Sequence, residues 1–246
     1  MRLKNVPGAQ DVINSSGFVQ HDPESFRGKW KDVFGNGNPI ELEIGIGKGR
    51  FLLDMAEAFP HRNFLGIEMY SSVLCRAIQN AEQRVTGSEL HLSVSEKERP
   101  KRPDGCNFRM LRFDATYITQ LFEPGEIRRI YLNFSDPWPK ERHADRRLTS
   151  VRFLGRYEKI LPAGGEVIFK TDNRALFDFS IEQLNEHGWD IMRSTYDLHG
   201  ERASGQANGL NGETSILTEY EEKFVSSGKP ICMLTAACPA RGGAAV

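Results

Sequence analysis

The chain alternates short apolar segments with segments whose apolar residues recur every three or four positions, and this alternation constrains its fold more than any other feature. Residues 39–44 read as a buried strand, the glycine-rich residues 45–49 as a tight turn, and residues 50–59 as an amphipathic helix. The same order of strand and helix returns along the chain to about residue 236. Strands that alternate with helices indicate a mostly parallel sheet with helices on both faces, so we predict an α/β fold.

Apolar periodicity and the positions of proline and glycine place the remaining elements. Further strands are expected at 63–67, 108–113, 129–134, 165–170, 189–196 and 231–236. Further helices are expected at 71–84, 149–160, 174–186 and 218–226. Ser71 is the expected N-cap of the first of these helices.

Four segments of the chain lie outside the regular alternation of strands and helices. Residues 1–38 are predicted to be an N-terminal extension that packs on a single domain at 39–238. The segment 85–106 is too long for an ordinary connection from helix to strand and is predicted to be a surface insertion. The Gly- and Asn-rich segment 199–215 is predicted to be a loop, and the tail 239–246 to be disordered.

The composition favours a cytoplasmic protein. The chain has 246 residues, and no run of eighteen apolar residues or signal-peptide core is found in it, so no membrane association is expected. Its four cysteines lack metal-ligand spacing and its six histidines form no His-x-x-x-His pair. We therefore expect free thiols in a reducing compartment and no metal site.

Positive charge is concentrated although the net charge is only −1. Between Lys140 and Arg156 the chain has six Lys or Arg residues against two acids. A basic run of this kind is typical of a surface that meets nucleic-acid phosphates, or of an ordinary solvated helix start.

Three acids lie at the ends of three successive predicted strands, at the edge of an α/β sheet where ligands bind. Gly45 and Gly47 allow a close backbone approach after the first strand. Glu43, near the end of that buried strand, would need a positive partner, which S-adenosylmethionine offers and a pyrophosphate does not. Glu68 could accept bonds from ribose hydroxyls and Asp114 from an adenine amino group. Alternatively, each of these two acids could cap a helix.

The fourth predicted strand leads into Ser-Asp-Pro-Trp-Pro-Lys at residues 135–140, which we call the proline loop. Its two prolines stiffen the backbone. A large aromatic and an acid beside a fourth strand recur in enzymes that methylate nitrogens of nucleic-acid bases, where the aromatic stacks on the base or walls the pocket. Trp138 could instead be a plug in the core.

The whole pattern resembles the bacterial tRNA (guanine-N7) methyltransferases over roughly residues 30–236. The resemblance is carried by Glu43-Ile44-Gly45-x-Gly47-Lys48-Gly49, Gly66-Ile67-Glu68, Asn133-Phe134 with the proline loop and Arg142-His143, Arg146-Arg147-Leu148, Lys170-Thr171-Asp172-Asn173 and Thr218-Glu219-Tyr220-Glu221. It implies a class I methyltransferase (Rossmann-like) fold, with a mostly parallel seven-stranded sheet and an antiparallel last strand. It implies that a monomer or homodimer transfers a methyl group from S-adenosylmethionine to N7 of a guanine in the tRNA variable loop (position 46, tRNA numbering), giving 7-methylguanosine.

The same resemblance implies a role for each matching residue, with Asp136 as the catalytic residue. The implied cofactor-binding residues are Glu43, Gly45, Gly47, Glu68, Asp114 and Asp136. The implied substrate-binding residues are Lys140, Asp172, Thr218, Glu219, Tyr220 and Glu221. The implied RNA contacts are Arg142, His143, Arg146 and Arg147. The chain departs from the family in Phe113 before Asp114, in the acid Asp145 and in the 85–106 insertion.

Guanine N7 carries a lone pair and no hydrogen, so its methylation needs positioning and charge stabilisation rather than a general base. Our hypothesis is that Asp136, Asp172 and Glu221 favour the positive charge that develops on the base and hold its N1 and N2 donors, while Lys140 reaches O6 or a phosphate. Asp172 could instead cap the helix that it precedes. Thr218 and Glu221 could form a capping box, which is compatible with Glu221 also facing the substrate.

Two other functions fit the same kind of sheet. An NAD-linked oxidoreductase would need the Gly-x-Gly-x-x-Gly fingerprint and a proton relay such as a Ser-Tyr-Lys set, and the sequence has neither. A non-catalytic RNA-binding module could keep the fold, but acids at both ends of the expected reaction path argue against it.

Overall fold

The computed structural model describes residues 6–87, 98–204 and 212–240, apart from the side chains of residues 213, 214 and 226. These residues form two compact units, one up to Leu121 and one from Phe122 onward.

The first unit is a parallel three-stranded sheet with its helices. Its strands are β1 (Ile40–Ile44), β2 (Asn63–Glu68) and β3 (Phe108–Arg112), and β2 pairs with both of the others in parallel. Its α-helices are α1 (Ala9–Ser15), α2 (Trp30–Phe34), α3 (Arg50–Ala58) and α4 (Ser71–Thr86). Short 3₁₀ helices lie at Pro23–Phe26 and Ala115–Gln120.

Burial explains why these segments adopt these structures. All five residues of β1 are buried, which is usual for a strand covered on both faces. One face of α3 buries Phe51, Leu52 and Met55 at helical spacing. The residues before β1 pack on the same unit: Trp30 is fully buried and its indole N–H donates to the Leu121 carbonyl at 2.8 Å.

The second unit contains both parallel and antiparallel pairs. Its strands are β4 (Arg129–Asn133), β5 (Glu166–Thr171), β6 (Asp190–Thr195) and β7 (Cys232–Ala237). Its α-helices are α5 (Val151–Ile160), α6 (Arg174–Glu186), α7 (Leu198–Ala203) and α8 (Glu219–Ser226). β4 and β5 are parallel, whereas β7 runs antiparallel to both β5 and β6.

Across the sheet the seven strands follow the order β3-β2-β1-β4-β5-β7-β6. The predicted fold class, a mostly parallel seven-stranded sheet with an antiparallel last strand, is therefore confirmed. Every predicted strand is found, with ends that differ by at most one residue.

Some local predictions were wrong. The N-cap of α4 is Tyr70, without a side-chain bond, so Ser71 is the first helical residue rather than the cap. Helix α7 lies partly inside the predicted loop at 199–215. It was missed because Gly200 lowers its helix propensity, yet Leu198 is buried against Ile231 and Met233, and this packing secures the helix. Of the predicted insertion, residues 88–97 lie outside the described residues, as do 241–246 of the tail.

The four cysteines are free thiols, as predicted. Burial raises the pKa of Cys75 and of Cys232, so both stay protonated at neutral pH. Among the helices of the described ranges, none combines the length and apolar character needed to cross a membrane. Within the same ranges, no three or more His, Cys, Asp or Glu side chains are grouped so that they could hold a metal ion.

Candidate active site

The turn after β1 is built so that a ligand can approach its backbone. Gly45 and Gly47 have φ angles of +80° and +55°, a left-handed conformation that favours glycine, and a Cβ at either position would meet no atom within 4 Å. The turn is held against β2, because the Gly45 amide donates to the Ile67 carbonyl at 2.8 Å. At Gly66 a Cβ would lie 2.7 Å from both the Ile46 and the Leu52 side chains, so a larger residue there would force these packed side chains to shift. The result is a tightly packed turn with open space beside its two glycines.

Glu68 fixes this turn through its carboxylate. One oxygen accepts from the Gly47 amide at 3.3 Å and the other from the Tyr70 amide at 2.9 Å. Both oxygens of the carboxylate therefore hold the backbone at the edge of the sheet where the sequence predicts a ligand. The predicted ligand residue therefore also has a structural task.

The other two predicted ligand acids of the first unit, Glu43 and Asp114, differ in exposure. Glu43 lies on β1 and is buried. Asp114 is half-buried and caps the 3₁₀ helix that follows, because its Oδ1 accepts from the Thr116 amide at 2.8 Å. The capping alternative is thus confirmed for Asp114, and the cap leaves Oδ2 for a further donor.

The proline loop of the second unit presents two charges and one strained aromatic residue. Asp136 and Lys140 are both exposed. Trp138 has a φ of +42°, which is unfavourable for a residue with a side chain. Its ring is half-buried, with the Arg146 guanidinium 4.9 Å above it and the His143 ring edge-on at 5.9 Å. Trp138 is therefore a partly open wall of the loop and not the core plug considered above.

The four predicted RNA contacts do not share one environment. Residues Glu141–Arg146 form a 3₁₀ helix on which Arg142 and Arg146 are exposed. His143 is half-buried, and its Nε2 lies 3.4 Å from the Nε of Arg142. Arg147 points inward, where its guanidinium donates to two carbonyls of the proline loop. The sequence could not separate Arg147 from its neighbours, because all four side chains lie in one run.

Asp172 follows β5 and is exposed. The N-cap of α6 is Asn173, whose side chain accepts from the Leu176 amide at 2.8 Å. The alternative that Asp172 is this cap is wrong, and its carboxylate is left at the surface. The end of β4 is joined to the same strand, because the Phe134 amide donates to the Lys170 carbonyl at 2.9 Å.

The start of α8 is a capping box centred on a buried acid. The Thr218 hydroxyl accepts from the Glu221 amide at 3.0 Å, and the Glu221 carboxylate accepts from the Thr218 amide at 3.4 Å. Glu221 is 0% exposed and pairs with the Lys170 ammonium at 3.1 Å and with His199 Nε2 at 3.0 Å. The chain's own groups thus surround Glu221. Lys170 inside the apolar strand β5 was the available signal of a buried acidic partner.

Aromatic rings stack between the residue that follows β4 and helix α8. Phe134 stacks on Phe224 at a centroid distance of 6.0 Å and on Tyr220 at 6.3 Å. Tyr220 ends the stack at the surface and is 59% exposed. Beside it, Glu219 forms an exposed ion pair with Lys223 at 3.6 Å. The second unit therefore has an accessible tyrosine ring supported from behind.

The predicted site residues divide between the units largely by role, with Asp136, predicted for both catalysis and cofactor binding, in the second unit. The first unit holds the predicted cofactor residues Glu43, Gly45, Gly47, Glu68 and Asp114. The second holds Asp136, Lys140, Arg142, His143, Arg146, Arg147, Asp172, Thr218, Glu219, Tyr220 and Glu221.

Comparison with known proteins gives matches over most of the chain. A family model described as "Putative methyltransferase" matches residues 37–234. The tRNA (guanine-N(7)-)-methyltransferase of Lachnoclostridium phytofermentans is 49% identical, covering 96% of this chain and 98% of that protein. The enzyme of the same name from Bacillus subtilis is 41% identical, covering 94% and 96%. A solved antibiotic-related methyltransferase superposes with a TM-score of 0.58 at 12% identity, over 90% of this chain and 97% of that one, and shows the fold.

Proposed function

This chain belongs to the family of bacterial tRNA (guanine-N7) methyltransferases, and from that premise we propose that it methylates N7 of a guanine in the variable loop of tRNA, at position 46 in tRNA numbering. S-adenosylmethionine is the methyl donor and 7-methylguanosine the product. The observation that carries the proposal is the 49% identity to a relative of that name across nearly the full length of both chains.

The residues of the first unit fit the methyl donor. The open space beside Gly45 and Gly47 admits a ligand to the backbone. The Glu68 carboxylate lies at this turn, where it would accept from ribose hydroxyls, and the Oδ2 atom of Asp114 would accept from an adenine amino group. The buried carboxylate of Glu43 supplies the negative charge that suits a cationic amino-acid moiety. When bound, S-adenosylmethionine supplies an electrophilic methyl group on a sulfonium.

Exposed charges in the proline loop and after β5 can stabilise the charge that develops during the reaction. Guanine becomes cationic as N7 is methylated, and no proton has to be removed from it. The exposed carboxylates of Asp136 and Asp172 can favour that developing charge and accept from the base's N1 and N2 donors. Their effect grows when bound RNA excludes water, because the local dielectric falls. Lys140 is free to meet O6 or a phosphate, since it is exposed beside the loop.

Tyr220 offers the target base a stacking surface. A guanine on its accessible face would extend the stack with Phe134 and Phe224 by one ring. Aromatic faces also attract cations, so the methylated base is held more strongly than the neutral one as charge develops. Thr218 and Glu221 act behind this surface, because both are buried and fix the first turn of α8 that presents Tyr220 and Glu219.

Mapping the methylated base on an unmodified tRNA transcript tests this function. We expect the protein to label one guanine of the variable loop. We expect Asp136→Ala to lower the single-turnover rate on the order of 100-fold, the effect of removing one electrostatic contact to a transition state. Asp190→Ala, an exposed acid at the start of β6, is the matched control and should keep the full rate. Label on another base would contradict the substrate, and full activity of Asp136→Ala would contradict the role of Asp136.

A further inference from the structure

We propose that Arg147 is a positioning residue that fixes the backbone of the proline loop, and that it is not a contact to RNA phosphates. The inference rests on the proposed function, because it assigns Arg147 a task in that reaction. In sequence Arg147 is one of four neighbouring cationic side chains, and only its contacts distinguish it.

The Arg147 guanidinium makes three contacts with the chain itself. Its Nε donates to the Pro137 carbonyl at 3.0 Å and its Nη2 to the Trp138 carbonyl at 3.1 Å. Its Cζ atom lies 4.3 Å from the centroid of the Phe179 ring on α6. A guanidinium is a rigid planar fork whose hydrogen bonds are charge-assisted, so one side chain holds two consecutive carbonyls against a helix.

The proline loop needs such a restraint from a side chain. Pro137 and Pro139 have no amide hydrogen and cannot donate backbone hydrogen bonds that would fix the loop. Trp138 between them has a left-handed φ of +42°, which persists only where the surroundings impose it. The two bonds from Arg147 fall on the carbonyls at this strained position.

The restraint bears on the reaction through Asp136, which directly precedes Pro137. A movement of the Pro137 carbonyl would displace the Asp136 carboxylate, and small misplacements of a catalytic group can lower a rate by about 100-fold. Arg146 and Arg142 differ from Arg147, because within the described residues neither donates to a backbone carbonyl of the loop. Both are exposed; Arg146 contacts the Trp138 ring face, and Arg142 donates to His143.

The experiment compares charge-preserving and charge-removing variants at the two adjacent arginines. Arg147→Lys keeps the charge but lacks the fork, so we expect a single-turnover rate at saturating tRNA that is roughly 10- to 100-fold lower. The tRNA affinity and its dependence on salt should stay at the wild-type values. Arg128→Lys, at an exposed arginine directly before β4 and outside the basic run, is the matched control and should keep the rate. Arg146→Gln should lower the salt slope by about one, as expected of a lost phosphate contact.

Two further measurements separate positioning from a general loss of structure. Millimolar methylguanidinium should restore the rate of Arg147→Ala toward that of the wild type, and should not accelerate Arg146→Ala. Hydrogen exchange in a peptide that covers residues 133–146 should be faster in Arg147→Lys, while peptides from the first unit exchange at the wild-type rate.

The inference is overturned if Arg147→Lys keeps the full rate, or if Arg147→Gln lowers the salt slope by about one without faster exchange in the loop. The proposed function fails in a different way: the wild type and Arg128→Lys would then transfer no methyl group to tRNA guanine, whatever the exchange rates show.

Discussion

Glu68, Asp114 and Glu221 each accept a structural hydrogen bond from the chain, but they differ in how accessible they are to a ligand. Asp114 uses one oxygen for a cap, and Glu68 accepts one backbone amide on each oxygen. Asp114 keeps its second oxygen for a ligand, whereas Glu68 holds the turn with both oxygens. Glu221 is fully buried among Lys170, His199 and its own cap, so its contribution is to position α8. The residue type predicted an important acid in all three cases, but only burial assigns the task.

Tyr220 provides the residue-scale prediction. Tyr220→Leu removes the aromatic face, and we expect kcat/KM on a tRNA transcript to fall roughly 5- to 150-fold, the equivalent of about 1–3 kcal/mol of base stacking. Tyr220→Phe keeps the face and should stay within about two-fold of the wild type, because stacking does not need the hydroxyl. Steady-state kinetics on the transcript make the comparison.

Val225→Ala, an exposed position on the same helix, is the control and should leave kcat/KM unchanged. Equal losses in the Phe and Leu variants would show that the hydroxyl matters rather than the ring face. An unchanged Tyr220→Leu variant would exclude a stacking role.

At the scale of elements, the strands were predictable and their connections were less so. A buried strand has a local signature, and β1 and β5 were found from their apolar runs. Lys170 interrupts the run in β5, and its partner Glu221 lies 51 residues further along the chain. A single sequence does not pair positions at that distance, so the capping box remained one of two alternatives. In the same way, α7 depends on contacts with Ile231 and Met233 that cannot be predicted from its own six residues.

The buried ion pair between Lys170 and Glu221 joins β5 to α8. Glu221→Gln leaves the Lys170 ammonium buried without its counter-charge, so we expect the free energy of unfolding to fall by about 3–5 kcal/mol. Replacing both residues together, Lys170→Met with Glu221→Leu, should recover most of that loss, because no uncompensated charge remains. Urea denaturation of the single and double variants measures the cycle.

The exposed Glu219–Lys223 pair on the same helix is the matched control, and breaking it should cost about 0–1 kcal/mol. A Glu221→Gln variant as stable as the wild type would contradict the role of this acid as an anchor. If the double variant is stable and still methylates tRNA at the wild-type rate, Glu221 has no direct contact with the base.

For the molecule as a whole, charge placement matters more than charge total. Lys and Arg number 32 against 33 Asp and Glu, so attraction to tRNA cannot come from the net charge of −1. It has to come from local runs such as that between Lys140 and Arg156. The predicted cofactor acids Glu43, Glu68 and Asp114 belong to the first unit, and this basic run belongs to the second, as does Asp136. Variants of these three acids and variants of the basic run should therefore each change the binding of one ligand and leave the other unaffected.

Asp114→Asn tests this division through thermal stability. S-adenosylhomocysteine at about 100 times its Kd should stabilise the wild type by about 2.7 kcal/mol, which raises Tm by roughly 5–10 °C for a chain of this size. Asparagine keeps the cap on the Thr116 amide through Oδ1 but presents a donor in place of Oδ2. It can no longer accept from an adenine amino group. We therefore expect most of the shift to disappear at the same ligand concentration, while Tm without ligand changes little.

Arg142→Gln, in the basic run, should show the full shift with S-adenosylhomocysteine and weaker tRNA binding. Asp104→Asn, an exposed acid of the first unit, should show the full shift as well. NAD should stabilise none of these proteins, because the turn after β1 lacks the dinucleotide fingerprint. An equal shift with NAD would revive the oxidoreductase alternative. A full shift in Asp114→Asn would leave the cap as the only task of Asp114, and recognition of the adenine would have to come from another group of the first unit.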